Sequence, residues 1–250
     1  MKLVGQSILV TGATGAIGQA ICRALAADGA DVVIHYGRNR DAAETLLKTL
    51  EGKGWLVAAD LSDPAGPQSL WDQAVASAGK LTGLVNNAGI RSEVPIDAPI
   101  DEWQRVWNRE MRVNFLSAVD LSKLAIQYFR DNGGGRIINM ASRAGQRGYT
   151  SSAMAYGASK AALINLTKSI AQSHGHEGVT AVALAPGWVR TEMAEAYIAE
   201  HGEAAAVAGI PIAMMAAPDE IGEITAFAFR PSQASLNGAV LDVNGGSYMR

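Results

Sequence analysis

Short apolar runs of strand length alternate along the chain with longer stretches of helical periodicity. The apolar runs cover 7–10, 31–36, 55–60, 81–89, 135–142, 180–187 and 239–246, and the helical patterns cover 16–28, 40–51, 66–78, 100–130, 155–174 and 218–229. Strict alternation of this kind predicts an α/β fold, a doubly wound parallel sheet of about seven strands with helices on both faces. The runs are apolar throughout, as strands covered on both sides should be. With no internal repeat and no linker rich in proline or serine, residues 1–250 are expected to form one domain. Two segments break the alternation, QRGYTSSAM (146–154) and residues 190–216, which contain Met193, Met214 and Met215. Both leave from carboxyl ends of strands, where ligands bind in open α/β sheets, so both are candidate substrate walls. The second reads equally well as a helical pair on the surface or against another subunit.

Composition narrows the partner. Charged residues are 18% of the chain and the formal net charge is −3, which leaves no basic field for nucleic acid and points to a small-molecule partner. The one cysteine, Cys22, allows no intrachain disulfide and falls on an apolar helix face. No apolar stretch approaches the ~20 residues needed to span a bilayer, and the pattern before the first strand, with no cationic start, apolar stretch and cleavage site, leads us to expect no cleavable leader. The expectation is a cytoplasmic protein with no membrane partner.

At 9–21 the chain reads LVTGATGAIGQAI, a strand that passes through Gly12, Gly15 and Gly18 into a helix. A helix amino terminus presents unpaired N–H groups and the positive end of its dipole, which suit a pyrophosphate. Glycine is needed where the chain turns sharply and where a side chain would block the phosphate. Here the sequence resembles the short-chain dehydrogenase/reductase family, and the resemblance extends over nearly the whole chain. The family's common turn is TGxxxGxG; this chain has Ala16 at the middle glycine and Gly15 one place earlier, the spacing of the family's extended members. The resemblance implies a Rossmann-type fold and dinucleotide contacts from Gly12, Thr14, Gly15, Ala16, Ile17 and Gly18. It further implies Asp60 and Leu61 beside the adenine, Asn87, Ala88 and Gly89 of the NNAG signature at the ribose, and Pro186, Gly187, Val189 and Thr191 over the nicotinamide. The NNAG stretch also reads as a brace for the central sheet.

The second strand ends IHYGRNR, with Tyr36 where a carboxylate would bind the ribose 2′-hydroxyl of NAD, and with Arg38, Asn39 and Arg40 just after it. Cations there suit a 2′-phosphate, so NADP(H) is expected over NAD(H).

In AMAYGASKAAL, Tyr156 and Lys160 leave one face of a helix a turn apart. A free phenol has a pKa of about 10, and a neighbouring ammonium favours the phenolate. Ser142 ends the run GRIINMAS, and by the resemblance it is the catalytic serine, with Ser151 and Ser152 in reserve and Asn114 of RVNFLSA the helix asparagine. Trp103 lies about one helical turn farther from Asn114 than the family pattern has it. The reaction implied is reversible hydride transfer between a nicotinamide and a carbonyl carbon. Tyr156 gives the proton, Ser142 polarises the oxygen, Lys160 tunes Tyr156 and holds the ribose, and Asn114 fixes a water leading to Lys160.

Within the family the chain is most similar to 3-oxoacyl-thioester (acyl carrier protein) reductases, which share its length, its second strand and an ending like VLDVNGGSYM. It departs from them at Met214, where an arginine is usual, and in residues 171–177, which offer no cation to an acidic carrier protein. The alternatives are a dehydrogenase of sugars, polyols or other secondary alcohols, and a catalytically silent dinucleotide-binding regulator. Family members are usually tetramers paired through helices corresponding to 100–130 and 155–174, so a homotetramer is expected. His174 and His176 read as a surface turn, His35 and His201 have no evident ligand partners, and no metal site is expected.

Overall fold

The computed structural model describes residues 2–50 and 54–249, without the side chain of Met193. Glu51, at the end of the second expected helix, and the Met193 side chain, in an expected substrate wall, therefore lie outside the described residues. In chain order the elements are β1 (Ser7–Val10), α1 (Ala16–Ala27), β2 (Asp31–Tyr36), α2 (Arg40–Thr49), β3 (Gly54–Ala58), α3 (Gly66–Ala78) and β4 (Gly83–Asn86). There follow α4 (Ile100–Met111), a π turn (Arg112–Leu116), α5 (Ser117–Asp131), β5 (Gly135–Met140), α6 (Ala144–Arg147) and α7 (Met154–His174). The chain finishes with β6 (Val179–Pro186), α8 (Glu192–His201), α9 (Glu203–Val207), α10 (Pro218–Phe229) and β7 (Val240–Val243).

All seven strands are parallel, in the order β3-β2-β1-β4-β5-β6-β7. The strand period of two divides each run between two cores. Ile8, Val10, Val32 and Ile34 face α1, α2 and α10 and pack with Ile21, Leu25, Leu46 and Ile221. Leu9, Val33, Leu84 and Ile137 face the other way, onto Leu70, Trp71, Leu121 and Phe129 of α3 and α5. Both sets are buried, which is why the strands show no apolar–polar alternation. Each such aliphatic side chain contributes about 1.5–3 kcal/mol relative to exposure.

The helical pattern over 100–130 is not one α-helix. The π turn at Arg112–Leu116 interrupts it, and Asn114 lies inside that turn. Such turns insert a residue into a helix and occur often at functional sites. Residues 190–216 carry no named strand; α8 and α9 occupy them, tied back by the bridge between Val189 and Ala216. Among the described residues no helix is long and apolar enough to cross a membrane.

Candidate active site

The sheet order reverses between β1 and β4, and a crevice opens beyond the carboxyl ends of these two strands. The glycine turn leaves β1 there and the NNAG stretch leaves β4. Hydrogen bonds join them: Thr11 Oγ1 accepts from the amides of Asn87 (2.9 Å) and Ala88 (3.0 Å), and Asn87 Nδ2 donates to the carbonyls of Thr11 (2.9 Å) and Gly12 (3.1 Å). Asn86 points into the sheet and donates to Asn139 Oδ1 at 2.8 Å. NNAG is therefore a brace, while Asn87, Ala88 and Gly89 also line the cleft.

The cleft has a volume of about 870 Å³. Gly12 (φ +61) and Gly18 are sterically obligatory: a Cβ on Gly12 would lie 2.8 Å from Ala88 Cα, and one on Gly18 2.4 Å from the Gly12 carbonyl oxygen. Gly15 differs. It is the N-cap of α1 at φ −74, and its Cβ would meet only the Gly12 oxygen at 3.7 Å. Protein packing leaves room for a side chain at Gly15, and that room faces the cleft. No side chain caps α1 and no acid occupies its first turn, so the amino end suits an anion. Thr14, Ala16 and Ile17 also line the cleft. The displaced middle glycine thus places Ala16 at the first helical position without strain.

Toward the far end lie Arg38, Asn39, Asp60 and Leu61. Asp60 accepts from Ser62 N (2.9 Å) and Ser62 Oγ (2.6 Å), and these bonds hold its carboxyl below the usual range. Asn39 caps α2 by accepting from Ala42 N at 3.0 Å. Two expectations need correction. Tyr36 is buried in the core on the α2 face and does not line the cleft, because neighbouring strand residues point to opposite faces. Arg40 is ion-paired with Glu44 at 2.8 Å outside the cleft, leaving Arg38 as the cation of this trio that faces it.

His35, one residue before Tyr36, lines the cleft and braces the turn. Its Nδ1 accepts from the Gly12 amide at 3.0 Å and its Nε2 lies 3.2 Å from the Ala59 carbonyl, so the ring ties β1, β2 and β3 together as one neutral tautomer. Burial lowers its pKa to about 4. A lone polar side chain inside an otherwise apolar strand was the available signal.

At the other end β5 delivers Ser142 and α7 delivers Tyr156 and Lys160 to the same cleft. Lys160 Nζ donates to the Met140 carbonyl at 2.8 Å and lies 5.7 Å from the Tyr156 ring centroid. Burial pushes Tyr156 up to about 12 against a lowering hydrogen bond from Ser142, and burial pushes Lys160 down to about 8. The expectation that Lys160 brings the phenol down is thus opposed here by the stronger effect of burial. Ser151 and Ser152 do not line the cleft; the Ser152 carbonyl accepts from Val94 N. Asn114 is buried beneath the cleft rather than lining it. Its Oδ1 accepts from Ile90 N at 2.7 Å, and its Nδ2 donates to Ile90 O at 2.8 Å and Ser159 Oγ at 3.1 Å, so its amide anchors the loop after β4.

Pro186, Gly187, Val189 and Thr191 form the cleft's upper wall. Among the described residues of 190–216, Thr191, Glu192 and Ala194 line it and Met214 and Met215 do not; Met214 is exposed. Arg91, Arg143, Tyr149 and Trp188 line it as well and carry no sequence motif. His174 pairs with Glu177 at 2.6 Å, Cys22 is buried in the core with its thiol pushed up by burial, and the described residues hold no cluster of three metal-ligating side chains.

A family model described as short chain dehydrogenase matches residues 6–202. The 3-oxoacyl-(acyl-carrier-protein) reductase FabG of Escherichia coli is 34% identical over 249 residues, the full length of both chains. The 3-oxoacyl-(acyl-carrier-protein) reductase of a Synechocystis species is 34% identical over 252 residues, 99% of this chain and 98% of its own. Nodulation protein G of Azospirillum brasilense is 33% identical over 241 residues, 95% and 96% of the two chains.

Proposed function

The chain belongs to the short-chain dehydrogenase family and is an oxidoreductase that uses a nicotinamide dinucleotide, and on that premise we propose that it reduces 3-oxoacyl thioesters with NADPH. The observation that carries this reading is the convergence of Ser142, Tyr156 and Lys160 on the cleft that the glycine turn lines. The names of the similar reductases supply the acceptor class.

The cofactor fits the residues present. The open space above Gly15 and the uncapped amino end of α1 suit its pyrophosphate, and Arg38 suits a 2′-phosphate. When bound, it supplies the hydride. Ser142 would hold the carbonyl oxygen through its hydroxyl, and Tyr156 would give that oxygen its phenolic proton as the alcohol forms. Burial keeps the phenol protonated, which is the state a general acid needs. Lys160, fixed by the Met140 carbonyl, is placed to hold the ribose and to restore the proton to Tyr156. Asn114 acts through Ile90 on the floor beneath them. The same reading treats residues 1–250 as one catalytic domain working as a homotetramer, with exposed Ile100 and Leu116 suited to contacts between subunits.

The test is the initial rate of NADPH and NADH oxidation with an acetoacetyl thioester as acceptor. NADPH-selective turnover is expected. Tight NADPH binding without turnover would reject the acceptor class and leave the dinucleotide site standing.

A further inference from the structure

Two arginines that the reaction does not use reach the substrate end of the cleft from different loops. Arg143 follows Ser142 directly, is 7% exposed, and lines the cleft. Its Nη1 is buried with no hydrogen-bond partner among the described residues. Arg91 comes from the loop after β4, lines the same wall, and has its Nε buried and unpartnered. Tyr149 lies between this wall and the catalytic phenol: the Arg91 guanidinium is 5.4 Å from the Tyr149 ring centroid, and the Tyr149 and Tyr156 centroids are 5.6 Å apart.

The loop is built to hold Arg91 still. Asn114 grips Ile90 on both its amide and its carbonyl, Glu110 Oε2 accepts from Ser92 N at 3.0 Å, and Val94 N donates to Ser152 O at 2.8 Å. Residues on both sides of Arg91 are therefore pinned to α4, the π turn and the segment before α7.

The acids nearby offset Arg91 in part and leave Arg143 without a counter-ion among the described residues. Glu93 bonds Arg91 through one terminal nitrogen from an exposed position, and Glu192 stands exposed on the rim. Glu110 is fully buried, and burial raises its pKa and disfavours its charge. No ion pair reaches Arg143 among the described residues, and its neighbour Arg147 is another cation. Burying a guanidinium without a counter-ion is unfavourable, and a bound anion offsets that cost. A planar guanidinium fork suits a carboxylate in particular.

We propose that Arg91 and Arg143 form an anion subsite beside the catalytic phenol, and that the substrate carries a carboxylate a few bonds from the carbonyl that is reduced. The substrate class is then 3-oxo acids, or 3-oxoacyl compounds with a free carboxylate, in preference to uncharged acyl chains. The proposal rests on the carbonyl-reductase reading above and extends its acceptor from thioesters to 3-oxo compounds that carry a free carboxylate.

The experiment compares acetoacetate with its methyl ester, which differ in one charge. The ratio of their kcat/KM values with NADPH is expected to favour the acid in the wild type, to fall about thirtyfold in Arg143→Gln, and to recover in part in Arg143→Lys. A wild-type ratio that favours the ester, or a ratio unchanged in Arg143→Gln, overturns the subsite. Calorimetric binding of malonate to the NADP-loaded protein decides the matter without turnover: binding weakened about thirtyfold in Arg143→Gln supports the subsite, and no binding or equal binding overturns it. Absence of turnover with both acceptors, together with Arg143-dependent malonate binding, would reject the reductase reading for these acceptors and keep the subsite.

Discussion

The backbone amide of Gly12 donates to Nδ1 of His35 at 3.0 Å, so the glycine turn is held in place by a neutral imidazole. Protonation of Nδ1 would remove the acceptor and bury a charge. The folded-state pKa is about 4, against 6.5 for the free side chain, so the unfolded chain binds more protons between these values and stability rises with pH across them. His35 contributes up to about 3 kcal/mol that is fully present above 6.5 and lost as pH falls through 4. Chemical denaturation of the wild type and of His35→Asn, whose Oδ1 can accept from Gly12, should show this slope only in the wild type. Parallel pH dependences would remove His35 from the account.

Two glycines of one turn should fail in different ways. A methyl group at Gly18 would lie 2.4 Å from the Gly12 carbonyl oxygen and 2.7 Å from Ala13 Cα, both backbone atoms that cannot yield without moving the turn. Gly18→Ala should lower stability by about 1–3 kcal/mol. Gly15→Ala has a compatible φ and open space, so its melting temperature should match the wild type while dinucleotide binding weakens. Thermal unfolding with and without NADPH separates the two; a destabilised Gly15→Ala apoprotein would show that the protein itself, and not its ligand, needs that glycine.

Cofactor choice should rest on one arginine. Arg38 faces the cleft, whereas Arg40 is held by Glu44 outside it. Arg38→Ala should weaken NADPH by about tenfold to a hundredfold, with NADH much less affected, since a charge-assisted bond is worth about 1.5–3 kcal/mol. Arg40→Ala should leave the ratio of the two affinities near that of the wild type. Fluorescence titration with both dinucleotides measures this, and equal losses for both in Arg38→Ala would remove the 2′-phosphate contact.

Periodicity made the architecture legible, and local motifs made half of the site so. The expected ranges 7–10, 31–36, 66–78 and 218–229 coincide with β1, β2, α3 and α10, because core burial sets where those elements run and prolines at the helix starts, with Gly79 after α3, mark the helix ends. The π turn around Asn114 was hidden, since one inserted residue barely disturbs a helical pattern of apolar positions across 100–130. Tyr36 was read as facing the cleft because a strand buried on both faces gives no alternation to say which side chain points where. Arg91 and Arg143 were invisible for another reason. Each is an ordinary loop arginine until the fold brings the ends of β4 and β5 together, and the unpartnered buried nitrogens, Arg91 Nε and Arg143 Nη1, are a three-dimensional fact.

Burial drives the two central groups in opposite directions, Tyr156 up to about 12 and Lys160 down to about 8. A lysine is charged below its pKa, so the ammonium that donates to Met140 is present below about pH 8 and is lost above it. Tyr156 stays protonated through that range and remains a competent acid. The kcat/KM profile for carbonyl reduction should therefore fall on the alkaline side near pH 8, and Lys160→Met should remove that limb as well as most of the activity. Tyr156→Phe keeps the ring and its packing but has no proton to give, so kcat should drop by about a hundredfold to ten-thousandfold while NADPH affinity stays close to that of the wild type. An alkaline limb that persists in Lys160→Met would assign it to another group, and substantial turnover in Tyr156→Phe would take the proton transfer away from the phenol.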